Sequence, residues 1–99
     1  MVTAETVRAL IATECEELSG LPIEAEDLVD GYDLRANGVI DSLGFVELVG
    51  ALEDRLGVTL DLVDLPPEEL TMAGPLSRAI AAQVAEQRGD ASVPAEARQ

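Results

Sequence analysis

Residues 38–57 read GVIDSLGFVELVGALEDRLG and predict a helix with one apolar side. The larger apolar residues are three or four positions apart, as on one face of a helix: Phe45, Leu48, Val49, Leu52 and Leu56. Asp41 and Ser42 favour a helix start, because their side chains can accept hydrogen bonds from unpaired backbone N–H groups, and Gly57 favours a helix end. A second face is mixed and acidic, and we expect it to be exposed: it carries Leu43, Glu47, Gly50 and Asp54.

Two further helices are predicted, one on either side of this segment. The first runs from about Thr3 to Leu18, with Thr3 as its N-cap. The last follows Thr71, which is the expected cap, and its apolar face carries Leu76, Ile80 and Val84. Residues 66–70 predict a short helical turn, since proline suits the first helical positions. Residues 58–63 alternate in part like a strand, but the sequence offers no partner strand, so we predict no sheet.

A long loop from Ser19 to about Ile40 separates the first two helices. We expect its apolar residues to hold it against the helices: Leu21, Ile23, Leu28, Val29, Leu34, Val39 and Ile40. A short helical turn is expected near residues 26–28. Loops of this length inside a small domain are often functional.

The predicted fold is all-α, an antiparallel bundle of three long helices plus one short helix, with a long first loop. Residues 1–88 are expected to form one domain. Residues 89–99 contain glycine, proline and alanine with little apolar surface, and we predict a disordered C-terminal tail.

The charge of the chain excludes several classes of function. Asp and Glu number 20 against 6 basic residues, which gives a net charge of -14. Such a surface repels nucleic acids and anionic membranes, and it favours partners with basic patches. The charge also leads us to expect a monomer. No signal peptide or membrane-spanning stretch is evident, so we expect a cytoplasmic protein.

The residue types also argue against catalysis by the domain itself. The chain has no histidine, so neither a Ser–His–Asp arrangement nor a histidine-containing metal site can form. The single cysteine, Cys15, lies on the apolar side of the first helix. We therefore interpret it as a buried apolar residue and not as a reactive thiol.

The segment from Gly38 to Val49 resembles the attachment region of acyl carrier proteins, and residues 51–58 resemble the rest of that family's second helix. The resemblance covers about Thr3 to Val84. It implies that a phosphopantetheinyl transferase attaches 4′-phosphopantetheine from coenzyme A to Ser42, with Asp41 organising the metal and phosphate side of the reaction. The thiol of that arm, and no side chain of the domain, would then hold acyl or aminoacyl cargo.

The same resemblance implies a set of partner-facing residues on the second helix: Leu43, Val46, Glu47 and Asp54. The implied partners are an acyl- or aminoacyl-loading ligase or acyltransferase, and downstream synthase or transferase enzymes with basic docking patches. Two positions depart from the family pattern, since Gly44 replaces a common acidic residue and Gly50 a bulky apolar one. These departures favour a discrete carrier of a specialised pathway, such as polyketide or other natural-product biosynthesis, possible subgroups including the D-alanyl and aminoacyl carriers.

Other interpretations of the same residues remain open on the sequence alone. Ser42 and Asp41 could simply begin a helix, and Glu47, Glu53 and Asp54 could form a solvated face, an interpretation that we favour for Glu53. The chain could also be an acidic helical adaptor without a cofactor. Residues 33–44 resemble part of a calcium-binding EF-hand loop, but Arg35 and Gly44 stand where that loop needs oxygen ligands.

Overall fold

The computed structural model describes residues 2–88, and over that range the chain forms three α-helices and two 3₁₀ turns. Helix α1 spans Ala4–Ser19, α2 spans Ser42–Leu56 and α3 spans Ala73–Arg88. The 3₁₀ turns are Ala25–Asp27 and Pro67–Glu69. Helix α1 packs against both α2 and α3. The predicted all-α helical bundle is confirmed, and its expected short helix is the second 3₁₀ turn. The predicted tail lies outside the described residues.

The helix ends follow local signals in two of the three helices. The Thr3 hydroxyl accepts a hydrogen bond from the N–H of Thr6 at 3.1 Å, as expected of the α1 N-cap. Gly57 ends α2 with a φ of 68°, a left-handed conformation in which glycine avoids the strain of a side chain.

The prediction that Thr71 caps the last helix is wrong. Helix α3 begins at Ala73, and the Thr71 hydroxyl donates to Oδ1 of Asp33 at 2.8 Å. The first N–H groups of α3 donate to the first loop instead, from Ala73 to the backbone oxygen of Tyr32 at 2.9 Å and from Gly74 to that of Asp30 at 3.1 Å.

The core combines one apolar stripe from each helix with residues of the first loop. Fully buried side chains include Val7, Ile11, Cys15, Leu48, Leu52, Leu76, Ile80 and Val84. Burial of a leucine or isoleucine side chain contributes about 1.5–3 kcal/mol, so these stripes supply most of the stabilisation. An ion pair between the buried Glu14 and Arg55 joins α1 to α2 at the edge of this core.

The first loop (residues 20–41) is held by five of its seven predicted apolar anchors. Ile23, Leu28, Leu34, Val39 and Ile40 are buried. Leu21 and Val29 are 51% and 60% exposed, so the prediction is wrong for these two. Val29 follows the buried Leu28 directly, and adjacent residues of non-helical chain point in different directions.

Asp30 fixes the middle of that loop against α1 and α3. Its carboxylate pairs with Arg8 at 3.0 Å and with Arg78 at 3.2 Å. Its backbone oxygen accepts a hydrogen bond from the N–H of Gly74 at 3.1 Å. A Cβ atom at Gly74 would lie 2.7 Å from the Cα of Asp30, so this approach requires glycine.

The connecting segment (residues 57–72) contains the strand-like stretch, and side chains take the place of a partner strand. Oε1 of Gln87 accepts from the N–H of Thr59, and Oε1 of Gln83 accepts from the N–H of Asp61, both at 2.8 Å. The same two amides donate to the backbone oxygens of Thr59 and Asp61. The absence of a sheet, as predicted, holds for the described residues, where the backbone forms a single isolated β-bridge between Asp33 and Met72.

Candidate functional site

Ser42 is the first residue of α2, and its side chain is exposed to solvent. The two residues before Asp41, Val39 and Ile40, are buried in the core. Their N–H groups both donate to the backbone oxygen of Leu34, at 2.8 and 3.3 Å. The Ser42 hydroxyl is therefore presented to solvent from a firmly anchored backbone.

Asp41 caps the helix beside this hydroxyl. Its Oδ1 atom accepts from the N–H of Gly44 at 2.7 Å, and its backbone oxygen accepts from Phe45 at 2.9 Å. A Cβ atom at Gly44 would lie 3.1 Å from Oδ1 of Asp41, so the missing side chain leaves room for the capping carboxylate.

The backbone at this helix end is suited to a phosphate group. Within residues 2–88, no acceptor is found for the N–H groups of Ser42 and Leu43. Unpaired N–H groups and the helix dipole favour negative charge at a helix start. An exposed hydroxyl next to these donors fits a phosphodiester chemically.

Two depressions adjoin Ser42 and Asp41, and one residue lines both. The first, of about 200 Å³, is lined by Arg35, Ser42, Phe45, Pro67, Leu70 and Thr71. The second, of about 630 Å³, lies on the side of Asp41 and Gly44 and extends to Leu18 and Leu21 at the end of α1. Arg35 belongs to the walls of both.

The four predicted partner residues on α2 are all exposed. Leu43 and Val46 are 67% and 65% exposed, and Glu47 and Asp54 are exposed as well. Leu43, Val46 and Glu47 are three or four positions apart, so they share the face of the helix that begins beside Ser42. Their exposure agrees with a docking role, which stays a prediction.

Most of this chain matches one known protein family. The family model described as the phosphopantetheine attachment site matches residues 5–72, which is more than half of the chain. The chain belongs to this family. It is a carrier protein that bears covalently attached 4′-phosphopantetheine and has no autonomous catalysis. The chain has no significant match among curated proteins or among solved structures.

Carriers of this family interact with phosphopantetheinyl transferases and with synthase enzymes. When attached, the arm supplies a terminal thiol that forms thioesters with cargo. The carrier's own contribution is to present the attachment residue and a surface that other enzymes can bind. None of the described helices is long and apolar enough to cross a membrane.

Asp33, the first residue of the stretch that resembles an EF-hand loop, forms hydrogen bonds within the fold. Its Oδ1 atom accepts from the N–H groups of Arg35 and Ala36, at 2.9 and 3.1 Å, and from the Thr71 hydroxyl. The bond from Ala36 and then that from Thr71 lower the pKa of the Asp33 carboxyl. The carboxylate thus folds the loop, and the described residues contain no group of three or more acidic or cysteine side chains placed to hold a metal ion.

Glu53 has a structural role that the sequence did not indicate. Its Oε2 atom accepts from the N–H of Leu60 at 2.8 Å and so holds the connecting segment against α2. The interpretation of Glu53 as part of a solvated face is therefore wrong.

Sequence reasoning also overlooked Arg35 as a neighbour of Ser42. The signal that could have found it is the scarcity of cations, because the chain has 6 basic residues and one of them lies seven positions before Ser42.

Proposed function

We propose that Ser42 is the residue to which 4′-phosphopantetheine is attached, and that the carrier presents acyl or aminoacyl thioesters in a specialised biosynthetic pathway. The observation that carries the assignment is the position of Ser42 at the exposed start of α2. The two other serines of the described chain are poor candidates. Ser77 is fully buried, and the Ser19 hydroxyl donates to the backbone oxygen of Cys15 at 2.7 Å.

In the attachment reaction, the Ser42 oxygen forms a bond to the phosphorus that carries the pantetheine group in coenzyme A. The bond from that phosphorus to the other phosphate of the pyrophosphate breaks, and adenosine 3′,5′-bisphosphate leaves. A base of the transferase accepts the hydroxyl proton, because the carrier has no histidine. The unpaired N–H groups of Ser42 and Leu43 lie at the same helix end and favour the negative charge that the serine acquires.

Asp41 contributes position and charge to this step. One of its oxygens caps α2 and keeps the Ser42 backbone in place. The other, Oδ2, has no hydrogen-bond partner in the part of the chain that is described. That oxygen is available to a metal ion held by the transferase, since hard cations prefer carboxylate ligands.

The exposed face of α2 is the proposed docking surface for loading and downstream enzymes. Leu43 and Val46 provide apolar contact next to Ser42, and Glu47 and Asp54 provide charge for a partner with a basic rim. Gly44 and Gly50 remove bulk and charge from this side of the helix. We therefore propose a dedicated ligase or acyltransferase as the loading enzyme, in polyketide or other natural-product biosynthesis.

The attachment is tested by intact mass after incubation with coenzyme A, magnesium and a broad-specificity phosphopantetheinyl transferase. We expect one added phosphopantetheine on the wild type and on Ser19→Ala, and none on Ser42→Ala. Circular dichroism shows whether each variant is folded. Modification of a folded Ser42→Ala variant, or no modification of the folded wild type, would overturn the assignment.

A further inference from the structure

Arg35 differs from the other arginines whose side chains are described. Arg8 and Arg78 pair with Asp30, and Arg55 pairs with Glu14 and Glu17. Arg35 forms no ion pair with any described residue, although the chain has a net charge of -14. Asp33 is its nearest acidic neighbour in sequence. The charge of Arg35 helps to lower the pKa of the Asp33 carboxyl, but less than the bonds from Ala36 and Thr71 do, and the two side chains form no ion pair.

The backbone of Arg35 is fixed while its side chain is exposed. Its N–H donates to Oδ1 of Asp33 at 2.9 Å, and its oxygen accepts from Gly38 at 3.1 Å. The preceding Leu34 is fully buried and donates to the backbone oxygen of Thr71 at 2.8 Å. Arg35 therefore carries an exposed side chain on a fixed turn, and it lines the groove that Ser42 also lines.

A cation near Ser42 would stabilise an attached phosphodiester, because the surroundings of Ser42 are negatively charged. A phosphodiester on this serine adds a negative charge beside the carboxylate of Asp41 and within a strongly acidic protein. An arginine can offset that charge, and its planar fork of donors matches two phosphate oxygens at once.

We propose that Arg35 binds the phosphodiester of the arm on Ser42 and holds the base of the arm in the groove between the first loop and the connecting segment. The proposal rests on the attachment at Ser42 proposed above. Pro67 and Leu70 also line this groove, and their side chains limit the space that is open to the arm.

The test compares the wild type with Arg35→Gln and Arg35→Lys, each converted to the phosphopantetheine form and checked by intact mass. Arg78→Gln is the matched control, because it removes one positive charge from a residue that does not line the groove. The first readout is the phosphorus NMR signal of the arm. The second is the position of the Arg35 Nε–Hε signal in a proton–nitrogen correlation spectrum.

We expect the Arg35 Nε–Hε signal of the wild type to shift when the arm is attached. In Arg35→Gln we expect the phosphorus signal to narrow and to move towards that of free pantetheine phosphodiester. Arg35→Lys should restore part of the shift, and Arg78→Gln should match the wild type. In the wild type, added sodium chloride should move the phosphorus signal in the direction of Arg35→Gln, because salt screens an exposed pair.

Identical phosphorus signals in the wild type and Arg35→Gln, with an unmoved Arg35 signal, would overturn the proposal. Slower attachment to Arg35→Gln with unchanged phosphorus signals would also overturn it, and would assign Arg35 to the transferase interface instead. Neither result concerns Ser42 itself, because failure of the attachment proposal appears earlier, as a missing mass increase in every variant.

Discussion

The thiol of Cys15 is fully buried in the helical bundle. In the carrier with its phosphopantetheine arm, only the thiol of the arm is therefore accessible for reaction. Burial, and secondly the charge of Glu14, raise its pKa from 9.0 to about 11. The thiolate is the reactive form of cysteine, so Cys15 is protected both by access and by protonation. The prediction from sequence that Cys15 is a buried apolar residue is confirmed. Cargo can therefore be held by the arm without competition from the protein's own thiol.

The shifted pKa of Cys15 predicts a loss of stability at alkaline pH. Above pH 9.0 the unfolded chain loses the thiol proton, whereas the folded chain keeps it until about pH 11. Unfolding then releases a proton, so the free energy of unfolding falls as the pH rises through this interval. Urea unfolding of the wild type and of Cys15→Ala between these pH values measures the effect.

The Cys15→Ala variant retains every other titrating group and is the control for them. Its free energy of unfolding should fall less steeply with pH than that of the wild type. Equal slopes, or rapid modification of the native thiol by a disulfide reagent at neutral pH, would contradict the burial of Cys15.

Gly50 in α2 and Gly74 in α3 stand in opposite surroundings. A Cβ atom at Gly50 would meet no atom within 4 Å. At Gly74 it would lie 2.7 Å from the Cα of Asp30 and 2.8 Å from its Cβ. The first glycine only weakens its helix, whereas the second permits the first loop to approach α3.

Alanine substitutions at Gly50 and Gly74 separate the effect of helix propensity on stability from the effect of packing. Gly50→Ala should raise the free energy of unfolding by about 1 kcal/mol, the propensity difference between glycine and alanine. Gly74→Ala should lower it by about 1–3 kcal/mol, because the added methyl group forces the Asp30 backbone away. Denaturant unfolding of both variants measures the two changes, and a stabilising Gly74→Ala would refute the close approach.

The elements that could be predicted from sequence are those determined by neighbouring residues. The spacing of Leu48, Leu52 and Leu56 and the end signal at Gly57 lie within one helix, so α2 was located correctly. The role of Thr71 could not be predicted, since its partner Asp33 lies 38 positions away. The same is true of Gln83 and Gln87, whose partners lie 22 and 28 positions away. At the candidate site, Ser42 and Asp41 can be predicted from a local motif. The position of Arg35 beside the same groove depends on how the first loop folds, so it is visible only in the structure.

The whole molecule has a surplus of negative charge that the few arginines do not balance. A net charge of -14 on 99 residues destabilises the compact state through self-repulsion. The ion pairs that Arg8 and Arg78 form with Asp30 act in the opposite sense, but exposed pairs of this kind contribute little. Repulsion should therefore dominate the response of the fold to salt.

We expect the thermal midpoint to rise when sodium chloride is increased from low to physiological concentration. Relief of about 1 kcal/mol of repulsion would raise the Tm by roughly 4–8 °C in a domain of this size. Arg78→Gln should show a larger rise, because salt no longer weakens the pair with Asp30. Differential scanning calorimetry measures both, and a midpoint that falls with salt would show that attraction outweighs repulsion.

The two glutamines of α3 also affect the tendency of the protein to aggregate at high concentration. Residues 58–63 have the alternation of a β-strand, and an uncovered strand edge is a template for aggregation. Gln83 and Gln87 occupy the donors and acceptors of Asp61 and Thr59, so a neighbouring molecule finds no open backbone at these two positions. The carrier's own side chains therefore block intermolecular β-pairing at these two positions of the strand-like stretch.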